Sequence, residues 1–232
     1  MKTCSKLSTD TNSQNNLSSS HARKQRIDEL RLEYTSDFDT ISVQSETAEV
    51  NVSVGEQESG FVEIYFCGET QVLGCVSMNA YITSQRILVI KEELCGICDL
   101  NRLKMDITLP KKKLQALRIV SKHGDVSVSA GVLLKTLVIS NEAGKVDVNA
   151  TYENANISTR KGNVSLVANA KSETETKIVT LEGHVNARFE NVGKLTLFAS
   201  SKNGNVLKNH IGGTGYDGEA YVSSLDGNIL IE

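Results

Sequence analysis

The chain has 232 residues, a formal net charge of −3, one proline and no tryptophan. This charge excludes a broad cationic field, so binding to nucleic acid through such a field is not expected. No run approaches the roughly eighteen apolar residues that a membrane-spanning helix needs. The chain contains 22 Val, 15 Ile and 17 Thr. Because β-branched side chains suit strands better than helices, the composition predicts an all-β protein.

The first 36 residues differ from the rest of the chain. Residues 1–20 are predicted to form a disordered polar tail, since thirteen of them are Ser, Thr, Asn or Gln. Residues 21–36 are predicted to form a short helix or an irregular lead-in, because Ile27, Leu30 and Tyr34 would share one helical face. No apolar signal-peptide segment follows Lys2, which predicts a cytoplasmic location.

Residues 37–232 are predicted to form one all-β domain. Apolar residues there alternate with polar ones, which is the period of half-buried strands. After the alternating segment that starts at Ile41, strand signals follow in chain order at 61–66, 72–82, 86–90, 104–109 and 116–121.

An internal repeat occupies the second half of the chain. Each copy has a turn glycine with Val or Ile two residues after it, and all but one have Ser or Thr three residues before it. The glycines are Gly124, Gly144, Gly162, Gly183, Gly204 and Gly227. Asn141 is the exception at the position three residues before the glycine, and a degenerate copy at 45–50 has Ala48 at the glycine position.

One such unit is too small to bury its own apolar face, so the copies must stack. The glycine spacing predicts a single-stranded parallel β-solenoid, right-handed and β-helix-like, with about 20 residues per coil. The alternative is a sandwich or barrel of antiparallel hairpins. The last copy runs to Glu232, and its strand is therefore predicted to form the terminal coil, whose edge needs protection against end-to-end pairing.

Four of the cysteines suggest one possible metal site. Cys95 and Cys98 form the only CxxC pair, and Cys67 and Cys75 would complete a four-thiolate zinc site. The spacing is unusual for zinc, and no helix N-terminus is evident to lower a thiol pKa for redox work. Unremarkable free thiols are the preferred interpretation, and no metal or cofactor is predicted.

The case for catalysis is limited to carboxylates near the repeat turns, such as Asp125, Glu142, Glu182 and Asp226. Clustered carboxylates on one face would suit a carbohydrate-active β-helix enzyme. Basic residues alternate with them, which favours a mixed, solvated edge. Three consecutive lysines at 111–113 are likewise interpreted as a solvated turn.

The segment ITLPKKKLQALRIVSKHGDVSVSA (107–130), followed by repeated Gly-[Asp/Asn]-Val turns, resembles the bacterial putative-adhesin β-solenoid domains. The resemblance covers roughly residues 37–232, and Gly144-Lys145 and Gly183-His184 depart from the pattern. It implies a non-catalytic right-handed β-solenoid used for surface or protein contacts.

These observations predict a non-enzymatic interaction or adhesion-like module. It would bind an extended protein or a cell-envelope component along its flat faces, without nucleic acid and without a membrane span. The alternative is the carbohydrate-active β-helix enzyme, which needs at least two acidic side chains close together on one face.

Overall fold

A computed structural model describes residues 25–35, 38–55, 61–70, 76–94, 100–170, 173–209 and 215–232. Side chains are described from Phe38 onward, except at 61, 68–70 and 100–102. The predicted tail at 1–20 lies outside these residues.

The described residues form strands and connecting turns. The strands are β1 (Gln25–Thr35), β2 (Thr40–Ser45), β3 (Glu49–Val54), β4 (Phe61–Thr70), β5 (Val76–Ile82), β6 (Ile87–Leu94), β7 (Leu100–Leu109), β8 (Leu114–Ser121), β9 (Val126–Ala143), β10 (Val146–Thr151), β11 (Asn154–Lys161), β12 (Val164–Asn169), β13 (Thr174–Glu182), β14 (Val185–Glu190), β15 (Val192–Ser201), β16 (Val206–Lys208), β17 (Tyr216–Asp226) and β18 (Ile229–Ile231). The all-β prediction is confirmed.

The strands form two open sheets, here called sheet A and sheet B, and the long strand β9 contributes to both. Sheet B has the order β5-β6-β2-β8-β9-β11-β13-β17-β15. Sheet A has the order β1-β4-β7-β3-β9-β10-β12-β14-β18-β16. Pairing is parallel throughout, except where β1, β4 and β5 add antiparallel strands at one end. The result is a β-solenoid-like fold, as predicted, rather than a set of antiparallel hairpins.

The parallel register places like residues on top of one another in the interior. One row of sheet B consists of Ile90, Val43, Ile119, Ile139, Ile157, Ile178, Val222 and Ala199. The matching row of sheet A consists of Met105, Val50, Val126, Val146, Val164, Val185, Ile229 and Val206. Every member of both rows is buried except the last, Ala199 and Val206, which are half-buried. Each buried Val or Ile side chain stabilises the fold by about 1.5–3 kcal/mol.

The coils do not stack in chain order at either end of the solenoid. The β2–β3 coil lies between the β6–β7 coil and the β8–β9 coil, although it precedes both in the sequence. At the other end, the last coil in the sequence, β17–β18, lies between β13–β14 and β15–β16. The prediction that the C-terminal strand forms the terminal coil is therefore wrong. Ile231 is fully buried, and the exposed end coil is β15–β16.

Where the structure describes residues 21–36, it has neither the predicted short helix nor the irregular lead-in. Residues Gln25–Thr35 form β1, which pairs antiparallel with β4, with a register shift between Ile27 and Leu30. Leu30, Leu32 and Tyr34 also alternate with charged residues, and this period of two fits a strand once the edge of β4 is available.

Candidate binding face and the two ends of the solenoid

The repeat glycines form a single column of close backbone contacts. A Cβ atom on Gly162 would collide with the carbonyl oxygen of Gly144, and one on Gly183 with that of Gly162. The column begins at Ala48, over which Gly124 lies, and ends with Gly204 over Gly227. Gly144 also has a φ of +134°, which L side chains rarely adopt. The glycines therefore allow neighbouring turns to approach, which is a structural role.

The residue after the glycine links neighbouring coils. Asp125 Oδ1 accepts a hydrogen bond from the Lys145 amide, and Asn163 Oδ1 accepts one from the His184 amide. His184 Nδ1 accepts from the Asn228 amide at 2.9 Å, and Asn228 Oδ1 accepts from the Asn205 amide at 2.9 Å. His184 thus takes the place of Asp or Asn as the acceptor, and the sequence did not predict this because histidine departs from the Gly-[Asp/Asn]-Val pattern.

The residue three positions before the glycine forms a buried polar column. Its members, in spatial order, are Ser45, Ser121, Asn141, Thr159, Thr180, Ser224 and Ser201. Several of them bond to turn carbonyls: Ser121 Oγ donates to Gly124 O at 3.2 Å, and Ser224 Oγ donates to Gly183 O at 3.1 Å.

Glu92 closes this column at the end formed by β6 and β7. Its side chain is 1% exposed. One carboxylate oxygen, Oε2, accepts hydrogen bonds from Ser45 Oγ at 2.7 Å and from the amides of Glu46, Thr47 and Ala48 at 3.0–3.1 Å. The other, Oε1, accepts from Thr47 Oγ1 at 2.7 Å. Five donors thus compensate the buried charge, and the 45–48 turn is wrapped around it.

The cysteine hypothesis falls largely outside the described residues. Cys67 lies half-buried on β4, opposite Lys104 of β7. Cys75, Cys95 and Cys98 lie in the ranges that the structure leaves out. Within the described ranges, no cluster of His, Cys, Asp or Glu side chains is arranged to hold a metal ion.

The lysines at 111–113 make contacts within the chain. Lys112 Nζ donates to the Phe38 carbonyl at 2.8 Å and lies 4.4 Å from the centroid of the Phe38 ring. Lys113 forms an ion pair with Glu153 and, by donating a hydrogen bond to this carboxylate, lowers the pKa of Glu153. These contacts position the turn between β7 and β8.

The outer face of sheet B changes character along the solenoid. Near its middle, the position two residues before each glycine carries charges that pair across strands, as in Glu46–Lys122 at 2.6 Å and Glu142–Arg160 at 3.2 Å. At β13 and β17 the same position holds Leu181 and Leu225, which are 45% and 38% exposed. The charge pattern that keeps the middle of the face solvated is therefore absent at these two strands.

Two aromatic rings extend this apolar surface. Tyr221 of β17 is paired with Phe198 of β15, and their rings stack with centroids 5.0 Å apart and an interplanar angle of 7°. Phe198 is 55% exposed although it is one of only five phenylalanines in the chain. We call Leu181, Phe198, Tyr221 and Leu225 the aromatic–aliphatic patch.

An acidic groove lies beside the patch on the same sheet. It is lined by Glu153, Glu173, Glu175, Asp217 and Glu219, with Lys194 among them. Glu175 and Glu219 lie directly opposite one another on β13 and β17. The sequence did not predict this groove, because its acids come from the corners and strand starts rather than from the repeat turns.

The described residues contain no helix long and apolar enough to cross a membrane. Among proteins with curated descriptions, none matches this chain. Two similar solved structures are a putative cell adhesion protein from Clostridium sporogenes, with 13% identity and a TM-score of 0.54, and a putative adhesin from Bacteroides fragilis, with 12% identity and a TM-score of 0.41. Each match covers 88% of this chain and 97% of the other.

The first of these likenesses supports the fold. A family model described as Toastrack DUF4097 matches residues 83–232, which is more than half of the chain. The matched range includes the whole glycine column from Gly124 onward and the aromatic–aliphatic patch. The chain therefore belongs to the Toastrack DUF4097 family.

Proposed function

We propose that this chain is a non-enzymatic binding module whose solenoid, over residues 37–232 with about 20 residues per coil, holds an extended protein or a cell-envelope component along its flat faces. The observation that carries the proposal is the aromatic–aliphatic patch on the outer face of sheet B. Its four large side chains lie on β13, β15 and β17, where the half-buried Val179 is also on the outer face and the other outward residues are polar or charged.

The chemistry of the patch suits an extended partner. Exposed aromatic side chains supply contact area at low entropic cost, and such residues often dominate binding energy. Lys177 lies next to Tyr221 in the register and the carboxylate of Glu219 accepts a hydrogen bond from the Tyr221 hydroxyl at 3.3 Å, so polar groups border the rings. An apolar centre with a polar rim is the usual anatomy of a protein interface. The description of the Clostridium sporogenes structure as a putative cell adhesion protein agrees with a binding role.

The proposal is tested by photo-crosslinking in the native host. A benzoylphenylalanine residue at Tyr221 should form adducts with a partner, whereas the same residue at Arg188, on the outer face of sheet A, should form few. Replacing Phe198 and Leu225 with Ser should remove the Tyr221 adducts while the protein stays folded. Equal adducts at both positions, or adducts that survive the two Ser substitutions, would contradict the proposal.

The acidic groove favours one second candidate, the carbohydrate-active enzyme. Glu175 and Glu219 are close enough on one face to meet the two-carboxylate requirement. However, a general acid needs a raised pKa. Glu153, which lines the same groove, has its pKa lowered by the hydrogen bond from Lys113. Polysaccharide hydrolysis that is lost in Glu175→Gln and Glu219→Gln variants would establish this candidate; retention of face binding in the same variants would support the module.

A further inference from the structure

We propose that two copies of this chain associate end to end through β15, by antiparallel pairing of this strand with its equivalent in the second copy. The pairing is centred on Leu197 and makes a closed dimer. The inference concerns the open end of the solenoid and does not depend on what the flat face binds.

The first support is the condition of the end coil. β15 pairs with β17 on one side, and its other edge has no partner among the described residues. Its inward side chains Leu195, Leu197 and Ala199 are only half-buried, as is Val206 of β16. The rows of Leu197, Ala199 and Val206 are buried in the other coils, so the core ends here in contact with solvent.

The second support is the composition of the edge. Natural proteins protect exposed edge strands with prolines, several charges or a covering element. From Val192 to Ser201 the chain has one charged residue, Lys194, and no proline. The register shift between Val192 and Leu195 affects only the start of the strand. Within the seven regular residues 195–201, every second residue therefore directs its backbone N–H and C=O groups to the free edge.

The third support is self-complementarity. In an antiparallel pair centred on Leu197, this residue lies opposite itself, and Leu195 lies opposite Ala199 of the second copy. Both inward pairs are apolar, so the two cores become continuous. Lys194 then faces Ser200, which avoids opposing two lysines.

The opposite end of the solenoid explains why a closed dimer is expected rather than a fibre. There the outermost strand of sheet B, β5, has the inward side chains Val76 and Met78 buried, at 8% and 4% exposure, and only its last inward residue, Ile82, is exposed. Antiparallel strands β4 and β1 extend sheet A beyond the last parallel coil. With one adhesive end and one sealed end, a two-fold contact uses up the free surface.

The full chain should therefore show a monomer–dimer equilibrium in sedimentation equilibrium, with no larger species. Ala199→Lys places a charge that points inward at the junction, and we expect it to raise the dimer dissociation constant at least about tenfold. The matched control is Ile82→Lys on the outermost strand of the sealed end, which should leave the constant unchanged within about twofold. Monomer at all concentrations, species larger than dimers, or an equal effect of both substitutions would overturn the proposal.

A second measurement uses the unaltered chain, so its result does not depend on whether a variant folds. Small-angle X-ray scattering of the dimer should give a maximum dimension close to twice that of the monomer, because the solenoid axes continue through the junction. A dimer scarcely longer than the monomer would indicate side-by-side association and would also overturn the proposal.

Discussion

The two ends of the solenoid differ in how their last interior rows are covered. A stack of coils leaves its first and last interior rows uncovered, and each end needs its own solution. At the β6–β7 end, antiparallel strands cover the core and the carboxylate of Glu92 occupies the last place in the buried polar column. At the β15–β16 end, the column stops at Ser201 and the last inward residues are half-buried. The chain itself therefore covers the core at the β6–β7 end, whereas the core at the β15–β16 end is open to contact with another molecule.

At both ends of the solenoid, the spatial order of the coils differs from their order in the sequence. At each end, one coil lies between two coils that are adjacent in the sequence. The end coil therefore pairs with this inserted coil and not with the other of the two. At the C-terminal side, the insertion buries the terminal β18 strand and leaves β15–β16 outside. The strand with the free edge is thus an internal segment held at both of its ends.

The largest expected effect distinguishes an inner coil from the end coil. Gly183→Ala places a methyl group against the carbonyl of Gly162, between two coils that cannot move apart. We expect a loss of about 3 kcal/mol or more in the free energy of unfolding. Gly204→Ala makes a similar collision with Gly227, but the end coil can shift outward, and we expect about 1 kcal/mol. Urea denaturation of both variants measures the difference; equal losses would mean that the inner turn and the end turn of the column are equally confined.

The next effect concerns the sealed end alone. Glu92→Ala removes the acceptor of five hydrogen bonds from buried or half-buried donors, and we expect a loss of about 3 kcal/mol. Glu93→Ala is the control, because its side chain is 41% exposed and contacts Lys91 and Asn79 rather than a buried turn. It should change stability by less than about 0.5 kcal/mol. A Glu92→Ala protein as stable as the Glu93→Ala protein would contradict the role assigned to the buried carboxylate.

A third comparison uses one side chain from each end. Met78→Ala removes a buried side chain from β5 and should cost about 2–3 kcal/mol. Leu197→Ala removes a half-buried one from β15 and, measured on the monomer, should cost about 1 kcal/mol. Thermal unfolding at low protein concentration checks both values, and a larger loss at Leu197 would show that the open end is covered in the monomer.

The smallest effect tests the interior between the ends, where Tyr152 is 2% exposed and its hydroxyl lies 2.9 Å from Thr176 Oγ1. Burial raises the pKa of the Tyr152 phenol above its ordinary value of 10.0. The folded chain therefore holds this proton more tightly than the unfolded chain, so the associated stability is complete below pH 10.0 and is lost as the pH rises beyond it. Tyr152→Phe should lose about 1 kcal/mol at neutral pH and show a flatter alkaline decline. An alkaline decline as steep as that of the unaltered chain would show that other groups cause it.

Sequence reasoning reached the fold class because the glycine column leaves a direct trace. Only glycine fits where the turn of one coil meets the backbone of the next, so its spacing marks the repeat. The degenerate copy at Ala48 keeps the flanking pattern, with Ser45 three residues before it and Val50 two residues after it, and Ala48 lies at the start of the column. The sequence does not show the stacking order, because the segments around Gly183 and Gly204 fit the repeat equally well whether or not a third coil lies between them.

The candidate surfaces were less predictable. The two acids that meet in the groove, Glu175 and Glu219, are 44 positions apart and become neighbours only through the inserted coil. Phe198 and Tyr221 look like ordinary outward residues of alternating strands until the register pairs them. Glu92 has no repeat signature in the sequence, because it stands where the other copies have Ser, Thr or Asn and is followed three residues later by Cys95 rather than glycine.

Hydrogen–deuterium exchange of the unaltered chain at low concentration tests the contrast between the ends most directly. We predict that amides of β17, enclosed between β13 and β15, exchange much more slowly than those of β15, and that amides of β6 at the sealed end are protected like those of β17. Faster exchange in β17 than in β15 would contradict the account, because it would place the C-terminal coil at the end of the stack.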